Sequence, residues 1–221
     1  MLNMPTNLYD LVRIREYGER GYLLEQLSDE ARVAIERATT LQPPEAFAEC
    51  VLGAKNVLLL FQRPVTPRLV ENWLRSLTAE LQGEQQEQPC IEVPVVYDGA
   101  DLEEVSARTG LSVDRVIELH TAPVYRVRMI GFTPGFPYLD GLDQRLHLDR
   151  KAAPLSRIEP GTVAIGGSHA GIYSVASPGG WYRLGRTELS LFQPEQACNN
   201  VTQLRSIFSF AAGDSVKFVA L

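Results

Sequence analysis

The sequence predicts an α+β N-terminal domain followed by an all-β, barrel-forming C-terminal domain. Three observations lead there. Ten of the seventeen glycines fall between Gly131 and Gly185. Helical patterning is confined to the residues before about 120. From Tyr125 onward, short apolar segments alternate with glycine and proline turns, the texture of a barrel or sandwich. A chain of 221 residues has room for one large domain or two small ones. The expected boundaries are 1–88 for a ferredoxin-like α+β unit and 89–221 for the barrel, which a helical connector at about 101–120 introduces.

In the first part, "LVRIREYG" and "GYLLEQL" read as two short strands. "SDEARVAIERATTL" reads as a helix: Ser28 can cap it, and Asp29 and Glu30 suit the positive end of its dipole. "NVLLLF" is a buried strand by its continuous apolar run. "TPRLVENWLRSLTAEL" is a second helix. Thr66 caps it, Pro67 takes its first position, and Val70, Trp73, Leu74, Leu77 and Leu81 form one stripe. "CIEVPVVY" is expected to complete the sheet, giving a small sandwich with both helices on one face. "QGEQQEQP" (82–89) reads as a linker or surface loop. "DLEEVSARTGLSVDRVIELH" reads as two short helices broken at Gly110, with Ser112 capping the second and His120 ending it. The barrel strands are then sought in "VYRVRMIGF", "TVAIGG", "AGIYSVA", "WYRLGRTELSLF" and "GDSVKFVAL".

Composition narrows the function. The chain is 45% hydrophobic and 22% charged, with a net charge of −6, as in an ordinary globular protein. Its basic residues are scattered, which leaves no electrostatic footprint for nucleic acid. Three widely separated cysteines, Cys50, Cys90 and Cys198, suit neither a disulfide framework nor a zinc site. No apolar run reaches the roughly 18 residues of a membrane span, and the first residues lack signal-peptide features. A reduced, cytosolic protein is expected.

Two segments carry the chemistry. "MIGFTPGFPYLDGL" sets Phe132, Phe136 and Tyr138 among Pro134, Gly135 and Pro137. Prolines fix φ and stiffen the loop, glycines admit close backbone approach, and the rings give rigid apolar area. Such a loop suits a binding cleft or a subunit contact, and a plug for one barrel end is the alternative. "RIEPGTVAIGGSHAGIYSVASPGGWYRLGRT" places His169 in a turn, where imidazole can move a proton near neutral pH. It also offers backbone amides at Gly166, Gly167, Gly179 and Gly180 for an anion. Tyr173 and Trp181 are candidate walls, and Arg157 and Arg186 are candidates for a carboxylate clamp. His120 is the second candidate proton carrier. Gly166-Gly167-Ser168-His169-Ala170 resembles a nucleophile elbow, but Ala170 replaces the last glycine and the setting is strand–turn–strand. Phosphate-loop and dinucleotide motifs are absent, and the histidines make no metal-binding pair.

These blocks resemble the allophanate hydrolase subunit 1 and Kip-type kinase inhibitor family, which includes the B-type component of bacterial ATP-dependent 5-oxoprolinase. The family's G-F-x-P-G-F-P-Y-L block is intact from Gly131 to Leu139. Its S-P-G-G-W-x-x-I-G-R-T block spans Ser177 to Thr187, with Leu184 for isoleucine. The chain departs from the family pattern at His169-Ala170, at Ser174, and around Pro154-Leu155-Ser156-Arg157. The resemblance implies that the second domain is a cyclophilin-like barrel. It also implies a shared activity, the opening of 5-oxoproline to glutamate at the expense of ATP. The expected partners are a C-subunit relative of the allophanate hydrolase subunit 2 type and an A subunit of the lactam-utilisation type. ATP, with Mg, is expected at a site shared with or on a partner. Kip-like inhibition of a sensor histidine kinase and allophanate breakdown are the alternatives.

Overall fold

The computed structural model describes residues 12–77, 90–196 and 207–221. The chain divides into two compact units, Met1–Glu87 and Gln88–Leu221. Leu81 and the "QGEQQEQP" segment lie outside the described residues.

The first unit contains β1 (Arg13–Tyr17), β2 (Gly21–Glu25), α1 (Asp29–Leu41), β3 (Phe47–Leu52), β4 (Val57–Phe61) and α2 (Pro67–Ser76). Its antiparallel sheet has the order β1-β2-β4-β3. Ser28 accepts a hydrogen bond from the Ala31 amide and so caps α1. Thr66 holds an extended backbone before Pro67 but makes no side-chain cap. Period-2 alternation buries Val57, Leu59 and Phe61 of β4 against Ile35 and Ala38 of α1 and Val70 and Leu74 of α2.

Two expectations are corrected here. The described connectivity is ββαββα, not the βαββαβ of a ferredoxin-like unit. The fourth strand is β3, "FAECVL", an edge strand whose mixed polarity hides it. "CIEVPVVY" instead supplies β5 (Ile91–Val95), which pairs in parallel with the far C-terminus of the chain.

The second unit continues with α3 (Leu102–Thr109), α4 (Val113–Thr121), β6 (Tyr125–Ile130), β7 (Pro137–Asp140), β8 (Leu155–Ile158), β9 (Thr162–Gly166), β10 (His169–Ile172), β11 (Ser177–Gly179), β12 (Tyr182–Arg186) and β13 (Ser215–Ala220). Gly110 ends α3 at φ 70°, a conformation in which a side chain is disfavoured, and the Ser112 hydroxyl caps α4. Seven strands form one sheet in the order β12-β9-β10-β7-β6-β13-β5. A bridge draws its two edges together: Val96 and Arg186 exchange amide–carbonyl hydrogen bonds of 2.9 Å in both directions. The sheet is therefore nearly closed.

Its interior is solid. Val93, Val127, Leu139, Ile165, Leu184 and Phe218 meet there, and α3 and α4 add Val105 and Val116. Burying each such side chain contributes about 1.5–3 kcal/mol before conformational entropy is charged. No helix among the described residues is long and apolar enough to cross a membrane.

Candidate functional site

A filled interior leaves the outer face of the sheet for chemistry. Strand alternation decides what that face carries. On β9, Val163 and Ile165 enter the core, leaving Ala164 and Gly166 outside. On β10, Ala170 and Ile172 enter, leaving His169 and Gly171. On β7, Leu139 enters, leaving Tyr138 and Asp140. The outward residues of three adjacent strands thus converge on one patch, and the β6–β7 loop folds over it.

That loop is held by the Gly131 amide bonding Phe136 O at 3.0 Å and the Phe136 amide bonding Thr133 O at 3.1 Å. Ser174 donates to Pro134 O at 2.6 Å and lies 3.2 Å from the Thr133 hydroxyl. Phe136 is the hub of an edge-to-face aromatic cluster. Its ring centroid lies 5.1 Å from Tyr138, 5.2 Å from Tyr173 and 5.5 Å from Trp181. Two glycines make the floor. A Cβ on Gly166 would fall 2.7 Å from the Trp181 indole, and one on Gly171 would fall 2.9 Å from both Phe136 and Trp181. Any side chain at either position would lift the rings off the sheet. The remaining ring of the loop, Phe132, holds φ 66° and is 56% exposed.

The cluster has a polar edge. Tyr138 meets the His169 ring edge-to-face at 6.2 Å. His169 Nδ1 lies 2.8 Å from Asp140 Oδ1, and Arg128 donates to Asp140 Oδ2 at 2.8 Å. Burial acts to raise the Asp140 pKa, but the adjacent His169 ring, close although not aligned for a hydrogen bond, and the Arg128 charge and hydrogen bond outweigh it and hold the carboxyl below its usual range. Beyond Trp181, Arg150 stacks at 5.7 Å from the ring centroid. Asp101, 4% exposed, accepts from Arg183 Nε at 2.6 Å and from Lys151 Nζ at 2.7 Å. Burial opposes its ionisation, yet these bonds hold its pKa at about 2. Burial pushes the Tyr173 hydroxyl up to about 12, although the Trp181 amide hydrogen-bonds it.

Of the residues singled out in the sequence, Phe136, Tyr138, Gly166, His169, Tyr173 and Trp181 gather in this patch. Pro134 and Gly135 shape the loop above it, where Gly135 sits at φ 78° against Leu191 O. Gly179 approaches the Tyr173 hydroxyl too closely for a side chain, and Gly180 carries a carbonyl that accepts from the Lys151 amide. The Gly167 amide is already donated to Leu148 O at 2.8 Å, so it is not a free anion donor.

Three candidates fall elsewhere. Arg157 and Arg186 are exposed and paired with Glu159 and Asp98 respectively, and Arg186 lines a hollow at the barrel seam with Val96, Leu189 and Leu221. His120 is 0% exposed on the inner side of the sheet, 4.5 Å from the Phe218 ring. Burial lowers its pKa to about 3. A ring held neutral away from water does not carry protons near pH 7. The sequence reading missed Asp140, Arg128, Arg150 and Asp101. Asp140 was within reach, because a residue two positions beyond Tyr138 on a strand shares its face.

Residues 12–202 match the carboxyltransferase domain family, subdomain C and D. The chain belongs to this family. The B-type 5-oxoprolinase component of Haemophilus influenzae is 37% identical over 190 residues, which cover 82% of this chain and 83% of that protein. The B-type 5-oxoprolinase component of Escherichia coli O157:H7 is 41% identical over 176 residues, 77% of each chain. Within the carboxyltransferase family, then, the chain is similar to B-type 5-oxoprolinase components. Among solved structures, TTHA0988 matches with a TM-score of 0.80 and 34% identity over 91% of this chain, which spans 40% of the TTHA0988 chain.

Proposed function

We propose that the chain is the B-type component of an ATP-dependent 5-oxoprolinase, which opens the lactam of 5-oxoproline to give L-glutamate together with other subunits. The observation that carries this is the likeness to proteins of that name, 37% identical over most of both chains. The site suits the substrate class. A five-membered lactam is flat and small, and the half-buried Tyr138 ring, backed by Trp181, offers a rigid apolar wall. Arg150, beside Trp181, supplies a cation for the ring carboxylate. The nearly closed sheet with its chemistry on the outer face is read as a cyclophilin-like barrel.

The described residues do not fit a resident Mg–triphosphate. They contain no cluster of three His, Cys, Asp or Glu side chains placed for a metal, and the chain has no phosphate loop. ATP is therefore assigned to a site shared with or on a partner. The partners proposed are a C-subunit relative and a lactam-utilisation-type A subunit. The two alternatives lose ground. A Kip-like docking loop needs Phe136 at the surface, and Phe136 is 1% exposed. Allophanate chemistry needs an activated nucleophile, and Ser168 sits exposed at the β9–β10 hairpin tip.

The test is reconstitution of the chain with C- and A-type subunits. ATP-dependent glutamate formation from 5-oxoproline is expected, lost when this chain is omitted. An assembled complex that makes no glutamate overturns the proposal.

A further inference from the structure

We infer that Arg150 is the specificity-determining residue of this site: it selects lactams that carry an acid, binding the carboxylate while the lactam ring lies on Tyr138, and it leaves neutral lactams as poor ligands. The inference rests on the 5-oxoprolinase reading and deepens it to one residue and one class of substrate.

Three neighbours make a short line on the outer face of the sheet. The Tyr138 and Trp181 ring centroids are 5.7 Å apart, and the Arg150 guanidinium lies 5.7 Å from the Trp181 ring. Tyr138 is half-buried and presents surface to a ligand, whereas Trp181, 4% exposed, is the backing between the two ends. Arg150 is exposed. A guanidinium stacked on an indole keeps its N–H edge in plane and open to a two-point contact with a carboxylate.

Charge pairing sets Arg150 apart from the cations around it. Arg108 and Lys151 lie over the Tyr182 ring, and Arg183 follows in β12. Lys151 is paired with Asp101 and Glu104, Arg183 with Asp101, and Arg108 with Glu104 at 4.0 Å. Among the described residues Arg150 has no carboxylate partner; its contact is the Trp181 ring. Its charge is nevertheless felt inside the patch, at the Tyr173 hydroxyl, where it opposes the upward push of burial. The backbone beside it is tied down from two sides. The Lys151 amide donates to Gly180 O at 2.8 Å, in the turn that leads to Trp181, and Lys151 Nζ donates to Asp101 at 2.7 Å. Arg150 is thus delivered to the indole by a segment with little freedom left to lose on binding. A held cation without a partner, one ring away from exposed apolar surface, matches an anion with a flat apolar body. A lactam acid has that form. A neutral lactam lacks the charge, and an inorganic anion lacks the body.

The test uses the reconstituted complex and two ligands of one shape: 5-oxoproline, read by its KM, and 5-oxoprolinamide, read by its Ki as a competitor. Arg150→Gln is expected to raise KM for 5-oxoproline about 10- to 100-fold, the value of one charge-assisted contact, and to leave Ki for the amide within about threefold of wild type. Arg157→Gln makes the same change in net charge away from the patch and is expected to alter neither constant. The inference is overturned if Arg150→Gln leaves KM within about threefold of wild type. It is equally overturned if KM and Ki rise together, since the variant then disturbs the patch rather than the carboxylate contact, or if Arg157→Gln raises KM as much. In each of these cases glutamate is still formed and the 5-oxoprolinase reading stands. A wild-type complex that forms no glutamate removes that reading and the inference with it.

Discussion

Lowering the pH from 7.5 to 5 should destabilise the barrel unit through one residue, His120. Its ring lies at 0% exposure between Tyr97, Tyr125 and Phe218; Nδ1 is 2.7 Å from the Tyr97 hydroxyl, and Nε2 is buried without a hydrogen-bond partner. Burial lowers its pKa from 6.5 to about 3. The unfolded chain therefore binds a proton that the folded chain refuses. This stabilising contribution is complete above pH 6.5 and is lost as the pH falls from there toward 3. At pH 5 the free ring is about 97% protonated and the buried one about 1%, a loss of about 2 kcal/mol relative to pH 7.5. Asp101, with its pKa held at about 2, loses its share only below its unfolded value of 3.8, outside this window. The assay is thermal unfolding by circular dichroism, where about 2 kcal/mol corresponds to roughly 6–10 °C for a unit of this size. His120→Phe should start less stable at pH 7.5, because the Tyr97 hydroxyl loses its partner, but should lose most of the decline between pH 7.5 and 5. Equal declines in wild type and variant would refute the argument that the ring is buried neutral.

Three further outcomes follow from the site. Gly171→Ala forces a methyl to within 2.9 Å of Phe136 and Trp181; it should cost about 1–3 kcal/mol and reduce the near-ultraviolet dichroism of the aromatic cluster. Asp101→Ala removes the shared partner of Arg183 and Lys151. Both cations keep some solvent, so the loss should be about 1–3 kcal/mol rather than that of a fully buried pair, read as a lower urea midpoint. Phe132→Gly relieves a backbone held at φ 66°, worth about 1 kcal/mol, and gives up the packing of a half-exposed ring, so stability should stay within about 1 kcal/mol of wild type. A larger drop would show that the Phe132 ring anchors the loop.

Much of the fold was legible because it is governed by local physics. Ser28, Gly110 and Ser112 announce helix ends through backbone groups within four residues of themselves. The aromatic block announced a site through its stiff rings, whereas the paired glycines were read as anion-facing amides and the floor that Gly166 and Gly171 make beneath those rings is seen only in the structure. What escaped was set by pairing across long stretches of chain. β5 lies beside β13, more than a hundred residues away, and nothing in "CIEVPVVY" distinguishes that partner from a nearer sheet. His120 looked available because it closes a short helix; its burial comes from α4 lying over β13, a tertiary fact. Asp140 went unread, although its alternation with Tyr138 already placed it.

The position of β13 sets an order of events. This strand lies between β6 and β5, so the ring is incomplete until residues 215–220 have been synthesised and slotted in. Before that, β5 and β6 present open edges, and the apolar side chains meant for the interior have no opposing wall. Nascent chains pass through an interval in which most of the barrel exists yet cannot seal, and in which aggregation competes with completion. A chain truncated before Ser215 would remain in that state permanently.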